Sequence, residues 1–277
     1  MPFALHDLTD LAGCRGVVAL QEAVWGRDSE VVPASLLSVS IKRGGILIGA
    51  SAEQRLVGFV WSLPAWRDGL RTHWSHMLGV LPEARGHGIA EQLKRAQRDR
   101  ALAQDVDLIE WTFDPLQAPN AHLNMSRLGV TATTYMNDAY GGMTGPLHKG
   151  TPTDRLIAEW WIRRPHVERR LAPRATHGLV ARSHELASAP FALSSTRVGE
   201  WDEPAAPRND LDASRVLVSV PARFTEMQQV EGELALAWRL AARAALGGYL
   251  ARGYQVVDFL FNREQANGVY LLSRSSQ

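Results

Sequence analysis

Between His73 and Gln104 the sequence changes period twice, and that change narrows the folds open to it. His73 to Val80 is an apolar, β-rich run that Leu81-Pro82 must end, because proline has no N–H to give to a strand ladder. From Ile89 to about Gln104, apolar residues recur at Ile89, Leu93 and Ala96, a helical stripe with charges opposite. Arg85-Gly86-His87-Gly88-Ile89-Ala90 joins the two. A strand entering a helix through such a turn leaves consecutive backbone N–H groups aimed at one point, where the helix dipole adds partial positive charge. Gly86 and Gly88 carry no Cβ, so a diphosphate could approach the backbone there. The segment does not fit a Walker loop, which needs Lys-Ser or Lys-Thr where Ile89-Ala90 stands. Nor does it fit a dinucleotide fingerprint, which has three glycines and follows a first strand. A plain strand-to-helix turn is the simpler reading of a lone Gly-x-Gly.

The neighbouring elements set the fold class. Val17 to Trp25 has helical spacing, and Ile46 to Ala50 with Leu56 to Leu63 reads as a hairpin over a loop of about five residues. Asp107 to Phe113 is a strand that stops at Asp114-Pro115; Asn120 to Leu128 is a short helix stopped by Gly129. Val130 to Tyr135 and Arg155 to Ile162 are further strands. The order predicts an α/β chain with helices packed on a mixed sheet. Past Pro165 the pattern weakens, and Gly199 to Ser214 reads as a linker or exposed loop. It recovers as a strand, Val216 to Val220, then a long helix with Leu234, Trp238, Ala241 and Ala245 in one stripe. Gly247-Gly248 or Gly253 can end that helix, and strands Tyr254 to Phe261 and Val269 to Ser273 follow. The expected domains are 1–165 and 166–277, the second an extra βαββ region.

Composition excludes several functions. The 30 basic and 29 acidic residues balance to a net charge of +1, without the electrostatic footprint of a nucleic-acid binder. One cysteine, Cys14, allows no intramolecular disulfide and no multi-cysteine zinc site, and the nine histidines show no ligand spacing, so no metal is expected. No apolar run reaches the roughly 18–20 residues of a membrane span. Met1 to Asp10 lacks a basic n-region, so the expected compartment is the cytoplasm.

Arg85, Gly88 and Ala90 match Arg/Gln-x-x-Gly-x-Gly/Ala, the acyl-coenzyme A signature of the GNAT acyltransferases, which the chain resembles over about residues 3–162. Val80-x-Pro82 precedes the loop as in that family. Asn120-Ala121 and Leu128-Gly129 resemble its second motif, and Trp111-Thr112-Phe113-Asp114-Pro115 with Tyr140-Gly141 and Asp154-Arg155-x-x-x-Glu159-Trp160 resembles a less studied subgroup with an extended C-terminus. The resemblance implies an acyl-CoA N-acyltransferase that takes acetyl-CoA or another acyl-CoA as cosubstrate and a small amine as acceptor. Strands 73–80 and 107–113 would splay to admit pantetheine beside Leu78 and Val80. The amides of Arg85, Gly86, His87, Gly88, Ile89 and Ala90 would hold the pyrophosphate, with Asn120 contributing from the second motif. An amine would attack the thioester directly, with an amide near Leu78 stabilising the oxyanion. The subgroup hints at amino-acid acceptors and a succinyl donor, with Arg127 and Arg155 as candidate carboxylate readers.

Direct attack needs a base for the amine and a proton for the thiolate. His76, four residues before Val80, is the candidate base; a packed strand histidine is the alternative. His73 lies farther out and is expected to be more exposed. Glu110 and Asp114 share a strand face and could act through water or cap a loop. The family's frequent tyrosine acid falls on Met125, which cannot protonate a thiolate; Tyr135 and Tyr140 are candidate replacements, and Tyr140 is carried forward. The competing function is a silent GNAT-fold module that binds coenzyme A or a partner. Residues 216–261 repeat the strand–proline–helix–strand order of 73–113 without its glycine loop. They are expected to form a degenerate half-GNAT walling the acceptor site or, alternatively, a homodimerisation arm.

Overall fold

The computed structural model describes residues 2–26, 30–141, 151–172, 189–262 and 267–274. Its contacts divide the chain into two compact units, residues 1–111 with 161–163 and residues 112–160 with 164–277. This division does not follow a linear boundary near residue 165, because residues 112–160 pack with the C-terminal strands. Among the described residues no helix is long and apolar enough to cross a membrane.

The first unit contains β1 (Ala4–Asp7), α1 (Leu11–Trp25), α2 (Ala34–Lys42), β2 (Ile46–Ala52), β3 (Arg55–Arg67), β4 (Leu70–Val80), α3 (Ile89–Ala103) and most of β5 (Leu108–Phe113). The strands lie in sequence order, antiparallel except for the parallel β4–β5 pair. Asp10 starts α1 earlier than its apolar spacing suggests: the carboxylate accepts the Gly13 N–H at 2.7 Å, capping an otherwise orphan donor. The β2–β3 connection is a two-residue turn, tighter than the expected loop, because Glu53 (φ 49°) and Gln54 (φ 63°) both adopt the left-handed conformation that suits strand twist. Helix α2 had no clear sequence signal. Its Ser40 Oγ accepts the buried Trp61 Nε1–H at 2.8 Å.

The second unit contains α4 (Ala118–Ala121), continued by a wide π-type turn through Arg127, then β6 (Thr131–Met136), β7 (Arg155–Trp161) and α5 (Pro165–Leu171). Next come β8 (Phe191–Leu193), β9 (Ser195–Val198), β10 (Trp201–Pro204), β11 (Arg215–Pro221), α6 (Phe224–Val230), α7 (Gly232–Ala251), β12 (Gln255–Asn262) and β13 (Asn267–Ser273). Its sheet order is β7-β6-β12-β13-β11-β8. The 199–214 stretch is not a free linker. β10 pairs with β9, and the following carbonyls are held by side chains: Tyr249 donates to Arg208 O, and Arg252 to Asn209 O and Leu211 O. The buried stripe of α7 runs through Ala235, Trp238, Ala242, Ala245 and Tyr249, sharing Trp238 and Ala245 with the expected one and shifted by one residue at Leu234 and Ala241. The helix passes Gly247-Gly248 and stops before Gly253 (φ +83°). β13 lies between β11 and β12, pairing antiparallel with each, so this region adds βαββ to the mixed α/β fold but does not repeat the adjacent parallel pair of β4 and β5.

Candidate functional site

β4 is paired differently on its two edges. Toward β3 the register runs Trp61 to Met77 and then Ser62 to Ser75, so His76 is an extra residue, a β-bulge that re-aims the chain. Toward β5 the parallel ladder is confined to His73–Ile109 and Trp74–Glu110. No β4–β5 pair follows Trp74–Glu110 in that ladder.

At the end of β4, Leu81-Pro82 leads through a short turn into the loop. Gly86 (φ +82°) and Gly88 (φ +78°) adopt left-handed conformations that an L side chain rarely takes, and Gly88 caps α3 in that conformation. A Cβ at either glycine would meet nothing within 4 Å, so the loop is an open cradle rather than a packed turn. Among the described residues, none of the amides of Gly86 to Ala90 has a hydrogen-bond acceptor. Ile89 is buried and anchors the first turn of α3, while Arg85, Gly86, His87 and Gly88 are exposed. Arg85 Nε donates to Val80 O at 3.2 Å, which ties the loop to the strand end. His87 Nδ1 donates to Arg85 O at 3.0 Å, so its ring braces the loop while its amide stays available. This arrangement fits a diphosphate: consecutive donors, a helix N-terminus and clear space.

Of the two β4 histidines, the one expected to be the more exposed, His73, is the buried one. His73 is 1% exposed, between Ser62 Oγ (3.0 Å) and Gln104 Oε1 (2.9 Å), and burial pushes its pKa down. His76 is exposed and meets Trp61 edge-on at 5.3 Å. The protein around it still desolvates it partly, which holds its pKa below 6.5 and leaves it neutral, and able to accept a proton, at pH 7. Leu78 and Val80 are half-buried and pair with Val60 and Gly58 of β3. Glu110 is buried, and its Oε1 accepts from Arg67 Nη1 at 2.9 Å.

In the second unit, Asn120 is exposed on α4 and Met125 is fully buried, so no acid stands at the family's tyrosine position. The Tyr135 hydroxyl donates to Asp154 Oδ2 at 2.8 Å; burial and that carboxylate raise its pKa far above 10, so it is a poor proton donor. Tyr140 is 45% exposed, its hydroxyl 3.1 Å from Thr112 Oγ1 and its ring 5.0 Å from the Arg155 guanidinium. Arg127 is half-buried in the π-type turn. Asp114 is structural: it caps Leu116 N and grips the buried Arg239 with two bonds of 2.7 Å. Asp154 likewise holds Arg243 at 2.8 and 2.6 Å. Those carboxylates, part of the subgroup-like blocks, thus serve the interior of this unit.

Sequence reading missed Lys94, which α3 buries with its Nζ 2.9 Å from Ser75 Oγ. Its signal was present: Lys94, Gln97 and Ala101 follow one another at helical spacing on the buried side, and Lys94 is one of three lysines in the chain. Among the described residues no group of three or more His, Cys, Asp or Glu is placed to hold a metal.

Comparison with known proteins returns solved structures and one family match. Three solved structures illustrate the likeness. The ribosomal-protein-S18-alanine N-acetyltransferase from Escherichia coli shares 12% identity over 57% of this chain and 92% of its own, with a TM-score of 0.46. Arabidopsis thaliana Naa50, solved with the bisubstrate analogue CoA-Ac-MVNAL, shares 15% over 57% and 98%, with a TM-score of 0.46. Aminoglycoside 6'-acetyltransferase type Ii shares 18% over 60% and 100%, with a TM-score of 0.45. No curated protein matches the chain. The model of the acetyltransferase (GNAT) family matches residues 17–129, a span that runs from α1 through the β4–α3 loop to the glycine that ends the π-type turn. Over residues 17–129 this chain is therefore similar to the GNAT acetyltransferase family.

Proposed function

We propose that the protein is an acyl-CoA-dependent N-acyltransferase that moves an acetyl or succinyl group onto a small amine, with a free amino acid as the acceptor to test first. The observation that carries this reading is the cradle of amides from Gly86 to Ala90, without acceptors among the described residues, set at the end of a strand whose ladder to β5 has its last pair at Trp74. The diphosphate of coenzyme A would lie on those amides, and the pantetheine arm would follow the β4 edge past Val80 and Leu78. The thioester would then reach the bulge, where amides near His76 to Leu78 can stabilise the oxyanion. The acceptor nitrogen attacks the carbonyl carbon, the carbon–sulfur bond breaks, and neutral His76 takes the ammonium proton. The thiolate leaves and takes its proton from solvent, which suits a chain with methionine at position 125.

Calorimetry with coenzyme A and acetyl-CoA tests the loop, and thiol release with amino acids tests the chemistry. Wild type should bind in the micromolar range, and Gly88→Glu, which forces a left-handed side chain and a negative charge into the cradle, should not. Unchanged affinity in a folded Gly88→Glu protein overturns the assignment. Binding without thiol release across amines would assign the silent module instead. Equal turnover of an amino acid and its amide would remove carboxylate recognition from the proposal.

A further inference from the structure

Just past the end of the β4–β5 ladder one side chain joins the two strands. The ladder ends at Trp74–Glu110, and the next residue on each strand, Ser75 and Trp111, is buried. Lys94 of α3, 2% exposed, bridges them: its Nζ donates to Ser75 Oγ at 2.9 Å and to Gln97 Oε1 at 3.0 Å, and lies 3.4 Å from the centre of the Trp111 ring. Gln97 Nε2 also donates to Ser75 Oγ at 3.1 Å, so the four residues form one packed block. From Val80 to Ser75 is five residues of strand, or ~17 Å. A pantetheine arm with two peptide-like amides has a similar extended length. With its diphosphate on the loop, such an arm would set the thioester beside His76 and aim the acyl group at this block.

We propose that Lys94 determines acyl-chain length by stopping the cleft at Ser75 and Trp111, so that the donor is a short acyl-CoA of the acetyl class. This inference rests on the acyl-CoA reading above and deepens it. Close-packed interiors feel a single methylene, and one methylene of misfit changes selectivity by about 10–200-fold. Lys94 therefore acts through its volume, with its polar end fixed by Ser75 and Gln97. Desolvation keeps its pKa well below that of an ordinary lysine, in keeping with a filler rather than an exposed cation.

The test is a donor series of acetyl-, butyryl-, hexanoyl- and succinyl-CoA, read both as binding by calorimetry and as kcat/KM by thiol release. Wild type should prefer acetyl-CoA, losing at least about tenfold at butyryl-CoA. Lys94→Ala should recover about tenfold or more of the butyryl-to-acetyl ratio, and Lys94→Met, of similar length without charge, should keep the wild-type order. Lys94→Thr, which retains a hydroxyl for Gln97, replaces the alanine variant if that one does not fold. Equal use of hexanoyl- and acetyl-CoA by wild type, or an unchanged ratio in the shortened variants, overturns the proposal. So does a wild-type preference for succinyl-CoA that Lys94→Met abolishes, which would make Lys94 a carboxylate reader. If donors of every length bind equally and Gly88→Glu still blocks binding, only the length proposal falls. If no coenzyme A binds at all, both fall.

Discussion

Two segments of this chain share an order of elements and differ in what they leave undone. β4 ends at Val80-Leu81-Pro82 before α3, and β11 ends at Val220-Pro221 before α6 and α7. β11 pairs with β13 at seven positions and with β8 on its other edge, and the turn after it contains neither glycine nor a left-handed residue. β4 carries a bulge on one edge, a ladder of two pairs on the other, and a loop with two left-handed glycines. Buried backbone groups must find partners. β11 is paired along its whole length with β13 and at two positions with β8, whereas the loop after β4 leaves the amides of Gly86 to Ala90 without an acceptor among the described residues. A strand–proline–helix order is thus scaffolding until its donors are left open.

The contrast can be broken by experiment. If β4 is the reacting strand, His76→Ala should lower kcat/KM by about 10²–10⁴-fold while leaving KM for acyl-CoA near wild type. The wild-type rate should fall on the acid side of pH 6.5, because a base with a lowered pKa stays neutral until below that value. A loss under about threefold would pass the task to water or Glu110. The second segment should respond in stability instead. Arg239 is 1% exposed and grips Asp114 with two bonds, so Arg239→Ala empties a buried site and takes the cation from a partly buried carboxylate, and should cost about 3–5 kcal/mol in denaturant unfolding. Its KM for acyl-CoA should not change.

A matched pair of substitutions sharpens the comparison further. Gly88→Glu should weaken coenzyme A binding by about a hundredfold or more, roughly 2.7 kcal/mol. Ala222→Glu, after the other proline, should leave binding unchanged. Comparable losses in both would erase the distinction between the two turns. The smallest expected effect concerns pH. Burial lowers the His73 pKa in the folded state, so below pH 6.5 the unfolded chain takes the proton more readily and stability falls as pH drops. One such group changes the slope by at most about 1.4 kcal/mol per pH unit. His73→Asn should flatten the acid limb measured by urea midpoints; an identical limb would move the effect elsewhere.

The strand–loop–helix was readable because its signals are local: proline ends a ladder, glycine takes positive φ, and period distinguishes strand from helix. Met125 was also readable, since a methionine cannot serve as an acid wherever it lies. The exposures of His73 and His76 were not, because alternation puts them on opposite faces but only the packing of α3, through Gln97 and Gln104, decides which face is covered. Asp114 looked like a loop cap or a catalytic carboxylate; only Arg239, 125 positions later, decides how it is used. The two compact units were hidden for the same reason, since residues 112–160 are recruited by strands more than a hundred residues downstream.

That recruitment has a consequence for how the chain is made. The strands of the first unit are complete by residue 113, apart from the short return of residues 161–163. The second unit closes through Tyr270 to Pro115 O and Ser126 to Phe259 O, contacts separated by 155 and 133 residues. Loop closure over such separations is slow, and nascent chains emerge at about 5–20 residues per second. Residues 112–160 therefore leave the ribosome well before β12 and β13 exist to cover them. For that interval the groups that Tyr270 and Phe259 will meet, Pro115 and Ser126, stand without those partners.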